Sequence, residues 1–172
     1  SYFISSAGTS GKVWTSDGNG AGAWVTSTAA SEINGLSDVL IESNSMYIGN
    51  DPSSSTSTAE KNIAVGTTAL DAITTGDFNV AVGYNALTAN TTGYNNVAIG
   101  NDALQNNTQG YFNNAMGDGA LKTNTTGVYN NAMGNNALYA NVSGEHNVAI
   151  GQDALKANTA GHKNVASGYR AL

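Results

Sequence analysis

The sequence predicts an all-β chain built mainly as a parallel β-solenoid, and three observations carry that reading. An Asn-x-Ala-x-Gly box returns seven times, with its glycine at Gly66, Gly83, Gly100, Gly117, Gly134, Gly151 and Gly168, an unbroken interval of 17 residues. A second glycine keeps the same interval from Gly76 to Gly161, and an Ala-Leu pair does so from Ala69–Leu70 to Ala171–Leu172. The unit is too short for helix-pair repeats, which need about 33 to 47 residues. It is also poor helix material, with two glycines and several Asn and β-branched residues per unit. One unit cannot bury an apolar face alone, so successive units stack as coils.

Residues 1–44 form a different region, expected to be an N-terminal β cap with a linker. Trp14 and Trp24 flank the stretch SDGNGAG, which reads as a hairpin turn with an aromatic on each arm. The stretch ASEINGLSDVL reads as a helical turn or linker, and the whole region as a cover for the open strand edge of the first coil. Residues 45–172 are the repeat domain, in which SMYIGND (45–51) is a degraded first turn, making seven to eight coils of 17 residues. In each coil the box N-V-A-I is expected as one strand, x-A-L-x-A as a second, and NTTG as the closing turn. At about 4.8 Å per coil, seven coils rise roughly 34 Å.

Alternation along the first strand separates two faces. The alanines from Ala64 to Ala166 occupy a tight inner column, with the leucines from Leu70 filling the rest of the interior. The opposite face is apolar at Ile63, Val65, Val80, Val82, Val97 and Ile99, then carries Asn114, Met116, Asn131 and Met133. Asn114 and Asn131 fit a symmetry axis, where copies hydrogen-bond to one another, or alternatively face solvent. An interior of Ala and Leu alone is thin, so an obligate homotrimer joined through the Val80/Val82 face is expected.

Composition narrows the function classes. Charged residues make up 10% of the chain and the net charge is −6, which speaks against nucleic-acid binding. No apolar run approaches the roughly 20 residues of a membrane span, and with no Cys neither disulfides nor thiolate metal sites are available. The chain opens at Ser1 without Met and ends at Leu172 in mid-repeat, which reads as a piece of something longer or a processed product.

The NVAIG boxes followed by a small-residue turn resemble the head repeats of trimeric autotransporter adhesins. The longer unit NVAVGYNALTANTTGY is similar to repeats of phage tail-fibre proteins and related bacterial surface proteins. GTSGKVWTSDGNGAGAWV (8–25) and INGLSDVLIESNSMYIGND (33–51) are similar to segments that precede such repeats. The resemblance covers almost the whole chain, although the adhesin-head unit is shorter than 17 residues. It implies a left-handed parallel β-roll packed as a trimer, in an extracellular fibre on a phage virion or bacterial surface. It also implies host or surface attachment or a structural shaft, and many relatives carry a C-terminal self-cleaving chaperone that assists trimerisation.

No enzymatic function is expected. His146 and His162 lie in or beside the closing turn without ligand spacing, no nucleophile–base set is visible, and the glycines form no phosphate loop with Lys. Neither a cofactor nor a metal is expected, Asp102 and Asp118 being the nearest approach to a cation site. Two features point to function. Aromatics recur beside the turns at Tyr84, Tyr94, Tyr111, Phe112, Tyr129, Tyr139 and Tyr169. Tyr94, Tyr111 and Phe112, flanked by Asn95 and Asn113, are the candidate ligand-binding stripe, suited to a cell-surface glycan along the fibre; packing between coils is the other use for those rings. Sequons at Asn90, Asn106, Asn124 and Asn141 are candidate glycosylation sites, or simply good turns. The function expected is a structural and attachment module of a trimeric fibre that binds a cell-surface glycan or receptor; the alternative is a purely structural rod or head-to-tail filament subunit.

Overall fold

The computed structural model describes residues 12–16, 22–26, 39–42, 44–49 and 58–172. The chain divides into two compact units, Ser1–Leu36 and Ser37–Leu172. In the first unit, β1 (Lys12–Ser16) pairs antiparallel with β2 (Gly22–Thr26), Trp14 opposite Trp24. The hairpin turn and most of ASEINGLSDVL lie outside the described residues.

The second unit is a parallel β-solenoid. Eight strands stack in chain order: β4 (Ser45–Ile48), β5 (Ile63–Val65), β6 (Val80–Val82), β7 (Val97–Ile99), β8 (Asn114–Met116), β9 (Asn131–Met133), β10 (Val148–Ile150) and β11 (Val165–Ser167). Each pair from β4 onward is parallel, and every register advances by 17 residues, as in Ala98↔Ala115. The open edge of β4 is covered by an antiparallel strand, β3 (Val39–Glu42).

Why the period is so strict follows from the interior. The side chains of Ala64, Ala81, Ala98, Ala115, Ala132 and Ala149 are wholly buried, as are Leu70, Leu87, Leu104, Leu121 and Leu138. Each therefore packs on its own copy one coil away. Tyr47 takes the place of the alanine in the degraded first turn, wholly buried opposite Ala64.

The expected second strand is not one. The x-A-L-x-A segment is a run of turns, with φ of 53° at Leu87 and 51° at Leu104. Its backbone still bonds from coil to coil, Leu87 N–H donating to the Ala103 carbonyl at 3.0 Å, while Asn90 N–H turns back to Leu87 O at 3.0 Å. Left-handed backbone at a leucine costs on the order of 1 kcal/mol, offset here by burial of the leucine side chain. Glycine is required where coils touch. At Gly100, with φ 137°, a Cβ would lie 2.5 Å from the Gly117 carbonyl oxygen.

Two asparagine ladders run through the interior, and both close on one column of glycine carbonyls. In the first, Asn62, Asn79, Asn96, Asn113, Asn130 and Asn147 precede the strands: Asn113 Oδ1 accepts from Asn130 N–H at 3.0 Å and from its Nδ2 at 3.1 Å. In the second, Asn90, Asn107, Asn124 and Asn141 lie in the closing turns, each Nδ2 after the first donating to the preceding Oδ1, as Asn107 does to Asn90 at 2.9 Å. Gly110 O receives Asn96 Nδ2 at 2.8 Å and Asn107 Nδ2 at 2.9 Å, so one carbonyl ties the two ladders together. Buried amides without partners would cost a few kcal/mol each; the repeat supplies a partner above and below.

Candidate binding surfaces

Because every position is repeated at one coil height, any surface of this unit is a set of columns. The closing-turn side carries two adjacent aromatic columns. Tyr94 and Tyr111 stack with centroids 4.8 Å apart and planes 6° from parallel. Phe112, Tyr129 and His146 form the neighbouring stack, at 5.1 Å and 4.9 Å. Rings of the two columns meet edge to face, Tyr94 to Phe112 at 5.6 Å and Tyr111 to Phe112 at 5.9 Å. Phe112 and Tyr129, together with Phe78 and Asn95, take φ of 53° to 57°, which is what turns this column outward. The predicted Tyr94–Tyr111–Phe112 cluster is thus brought together, and Tyr129 and His146 extend it.

The faces of these rings are turned to one another. What the stripe offers outward is edges and phenolic hydroxyls, on side chains about two-fifths exposed at Tyr94 (38%) and Phe112 (42%). Asn95 is half-buried beside it. Asn113 does not flank the stripe: it is wholly buried in the first ladder, its Nδ2 donating to Gly127 O at 2.8 Å.

Three of the four sequons are corrected in the same way. The side chains of Asn90, Asn124 and Asn141 are wholly buried rungs of the second ladder, leaving no room for a glycan on the folded chain. Asn106, one residue out of phase with that ladder, is exposed. The amide that closes each turn on the glycine carbonyl three residues on, as Asn90 Nδ2 does to Gly93 O at 2.9 Å, is also the buried rung of the ladder. For Asn113 a signal was present: Asn62, Ala64 and Gly66 alternate with period two, which places the box asparagine on the same inward face as the alanine.

Asp102 and Asp153 are each paired with a lysine. Asp102 Oδ2 accepts from Lys122 Nζ at 2.9 Å and its Oδ1 from Asn85 Nδ2 at 2.9 Å. The Lys122 hydrogen bond, then that from Asn85, hold the Asp102 carboxyl below the usual range, and Asp102 raises Lys122 in return. Lys156 does the same for Asp153. The Lys122 ammonium thus stands at Asp102, with Asp118 also acting on it, where the sequence suggested a cation, and among the described residues no three His, Asp or Glu side chains meet as a metal set. His146 is spent in the aromatic stack, and His162 Nδ1 accepts from Glu145 N–H at 3.1 Å. Tyr84 and Tyr169 stand exposed in a separate column, with the Arg170 guanidinium over Tyr169 at 4.9 Å.

The remaining surface is the outer face of the solenoid sheet. Ile63 (42% exposed), Ile99, Met116, Met133 and Ile150 point away from the core, with Val80, Val82, Val97 and Val148 half-buried between them. From β4 to β11 this face holds no charged residue. Asn114 and Asn131 stand on it, exposed, and Asn114 Nδ2 donates to Asn131 Oδ1 at 2.8 Å. Among the described residues no helix is long and apolar enough to cross a membrane. No protein-family model matches the chain, and no curated protein or solved structure matches it either.

Proposed function

We propose that this chain is a stiff structural module of a fibre, a homotrimer joined through the Val80/Val82 sheet face and set on a phage virion or bacterial cell surface. The uncharged apolar face that continues over eight strands carries the proposal. Exposed apolar surface of that extent marks an association site. Its two columns present on the order of 800 Å², what one partner of a standard interface buries. The interior supports the rod: two asparagine ladders and a continuous parallel sheet bond each coil to the next, so bending must break several of them together. The resemblance to tail-fibre and adhesin repeats supports the setting. Sedimentation at micromolar concentration should give three copies; a folded monomer refutes the assembly.

Attachment to a cell-surface glycan through Tyr94, Tyr111, Phe112 and Asn95 is the second reading. The gathering of aromatic edges on one side favours it; the face-to-face stacking of the same rings favours the rod. Replacing Tyr94 and Tyr111 together by Ala separates them. Loss of cell or glycan binding by an intact assembly supports attachment, and unchanged binding removes it.

A further inference from the structure

We infer that Asn114 and Asn131 set the axial register and direction in which copies of this chain pack against one another. The inference rests on the fibre reading above and adds to it how the copies align. Along the sheet face the outer column that begins at Met46 is apolar in every strand except β8 and β9, where Asn114 and Asn131 follow one another. Their mutual hydrogen bond at 2.8 Å uses one donor group and one acceptor, and among the described residues the Asn114 Oδ1 and the Asn131 Nδ2 have no other partner. The chain thus presents one polar band, with an acceptor and a donor left over, on a surface whose other polar side chain is Ser167, out of reach on the last strand.

A second copy of the same face satisfies that band. The face carries no charge, so another uncharged face meets it without penalty, and its extent matches one side of a standard interface. With copies in register, amide meets amide at two successive levels. A slip of one coil, about 4.8 Å, sets one amide of each copy against valine, and a slip of two coils sets both. A buried amide facing valine is an unsatisfied polar group, and a lone polar layer in an apolar seam is the best-attested way to specify register. Direction follows from position. The pair sits on the fifth and sixth of eight strands, so an antiparallel partner aligned on it leaves β4 and β5 uncovered, whereas a parallel partner covers all eight.

The chain has no Cys, so an introduced one is unique. Chains carrying Val80→Cys and chains carrying Val97→Cys are co-expressed, oxidised mildly, digested and analysed by mass spectrometry. The same is done in an Asn114→Val, Asn131→Val background, which places at β8 and β9 the residue already found at β6, β7, β10 and β11; a far-UV melt confirms that it folds. In register only 80–80 and 97–97 links form, and a one-coil slip makes 80–97. The expected result is that mixed links are minor with the asparagines present and rise several-fold, to match the like links, once they are valine. Unchanged link patterns in the two backgrounds, or abundant mixed links with the asparagines present, overturn the inference while leaving the assembly standing. A monomer by native mass, or an assembly with no link at either position, overturns the sheet-face assembly itself.

Discussion

Replacing Asn113 by Ala tests the interior ladder, and its expected cost can be worked from the hydrogen bonds it removes. Asn113 Oδ1 is the acceptor for Asn130 N–H at 3.0 Å and for one hydrogen of Asn130 Nδ2 at 3.1 Å. Both donors are buried and would be left without a partner, since Asn130 Nδ2 keeps only its bond to Gly144 O at 2.7 Å. The third loss is smaller. Gly127 O gives up its bond from Asn113 Nδ2 but retains the one from Asn124 at 3.0 Å. Two orphaned donors at about 1–3 kcal/mol each make a destabilisation of about 2–6 kcal/mol. Asn106→Ala is the control, because that side chain is exposed and surface changes of this kind stay within about 0.5 kcal/mol. Urea and thermal unfolding followed by far-UV circular dichroism measures both. Equal shifts for the two variants would show that the ladder contributes nothing beyond an ordinary surface asparagine, and the account of the interior would fall.

Ala98→Leu should overpack a wholly buried site and lower stability by about 1–3 kcal/mol or more; an unchanged melt would show a looser interior. Gly110→Ala sets a Cβ 2.5 Å from the Gly127 carbonyl oxygen, so a soluble, normally melting variant would contradict the coil spacing. The Asp102–Lys122 pair gives a pH signature. Asp102 has its folded pKa depressed below the ordinary 3.8, so its contribution is present above that value and lost as pH falls through the folded pKa. Lys122 is raised above 10.5, so its contribution is present below that value and lost as pH rises through its folded pKa. Lys122→Met should flatten the acid limb of melting temperature against pH, and an acid limb identical to wild type would refute it. Expression in a glycosylating host should put glycan on the folded chain at Asn106 but not at Asn90, Asn124 or Asn141, read by peptide mass spectrometry.

The sequence by itself determined the architecture, because an uninterrupted 17-residue period is a statement of translational symmetry. Whatever one coil does, each does at the next height, so the parallel register, the alanine and leucine columns and the meeting of Tyr94 with Tyr111 all followed from spacing. What spacing does not carry is phase within the irregular part of the coil. Period two works only along an extended strand. Once Leu87, Asn95 and Phe112 take left-handed backbone, alternation stops predicting which side chain points inward. That is why x-A-L-x-A looked like a strand and is a run of turns. It is also why spacing puts Asn107 in phase with Asn90 and Asn124, and Asn106 out of phase, without saying which of the two faces inward; Asn106 is exposed and Asn107 is a buried rung. The tertiary structure decided where hydrogen-bonding capacity had to go: inward, where the glycine carbonyls of each turn would otherwise lack donors. It decided ring orientation too, since two aromatic columns side by side share a surface whichever way they face, and only their packing turns the faces to each other and the edges outward.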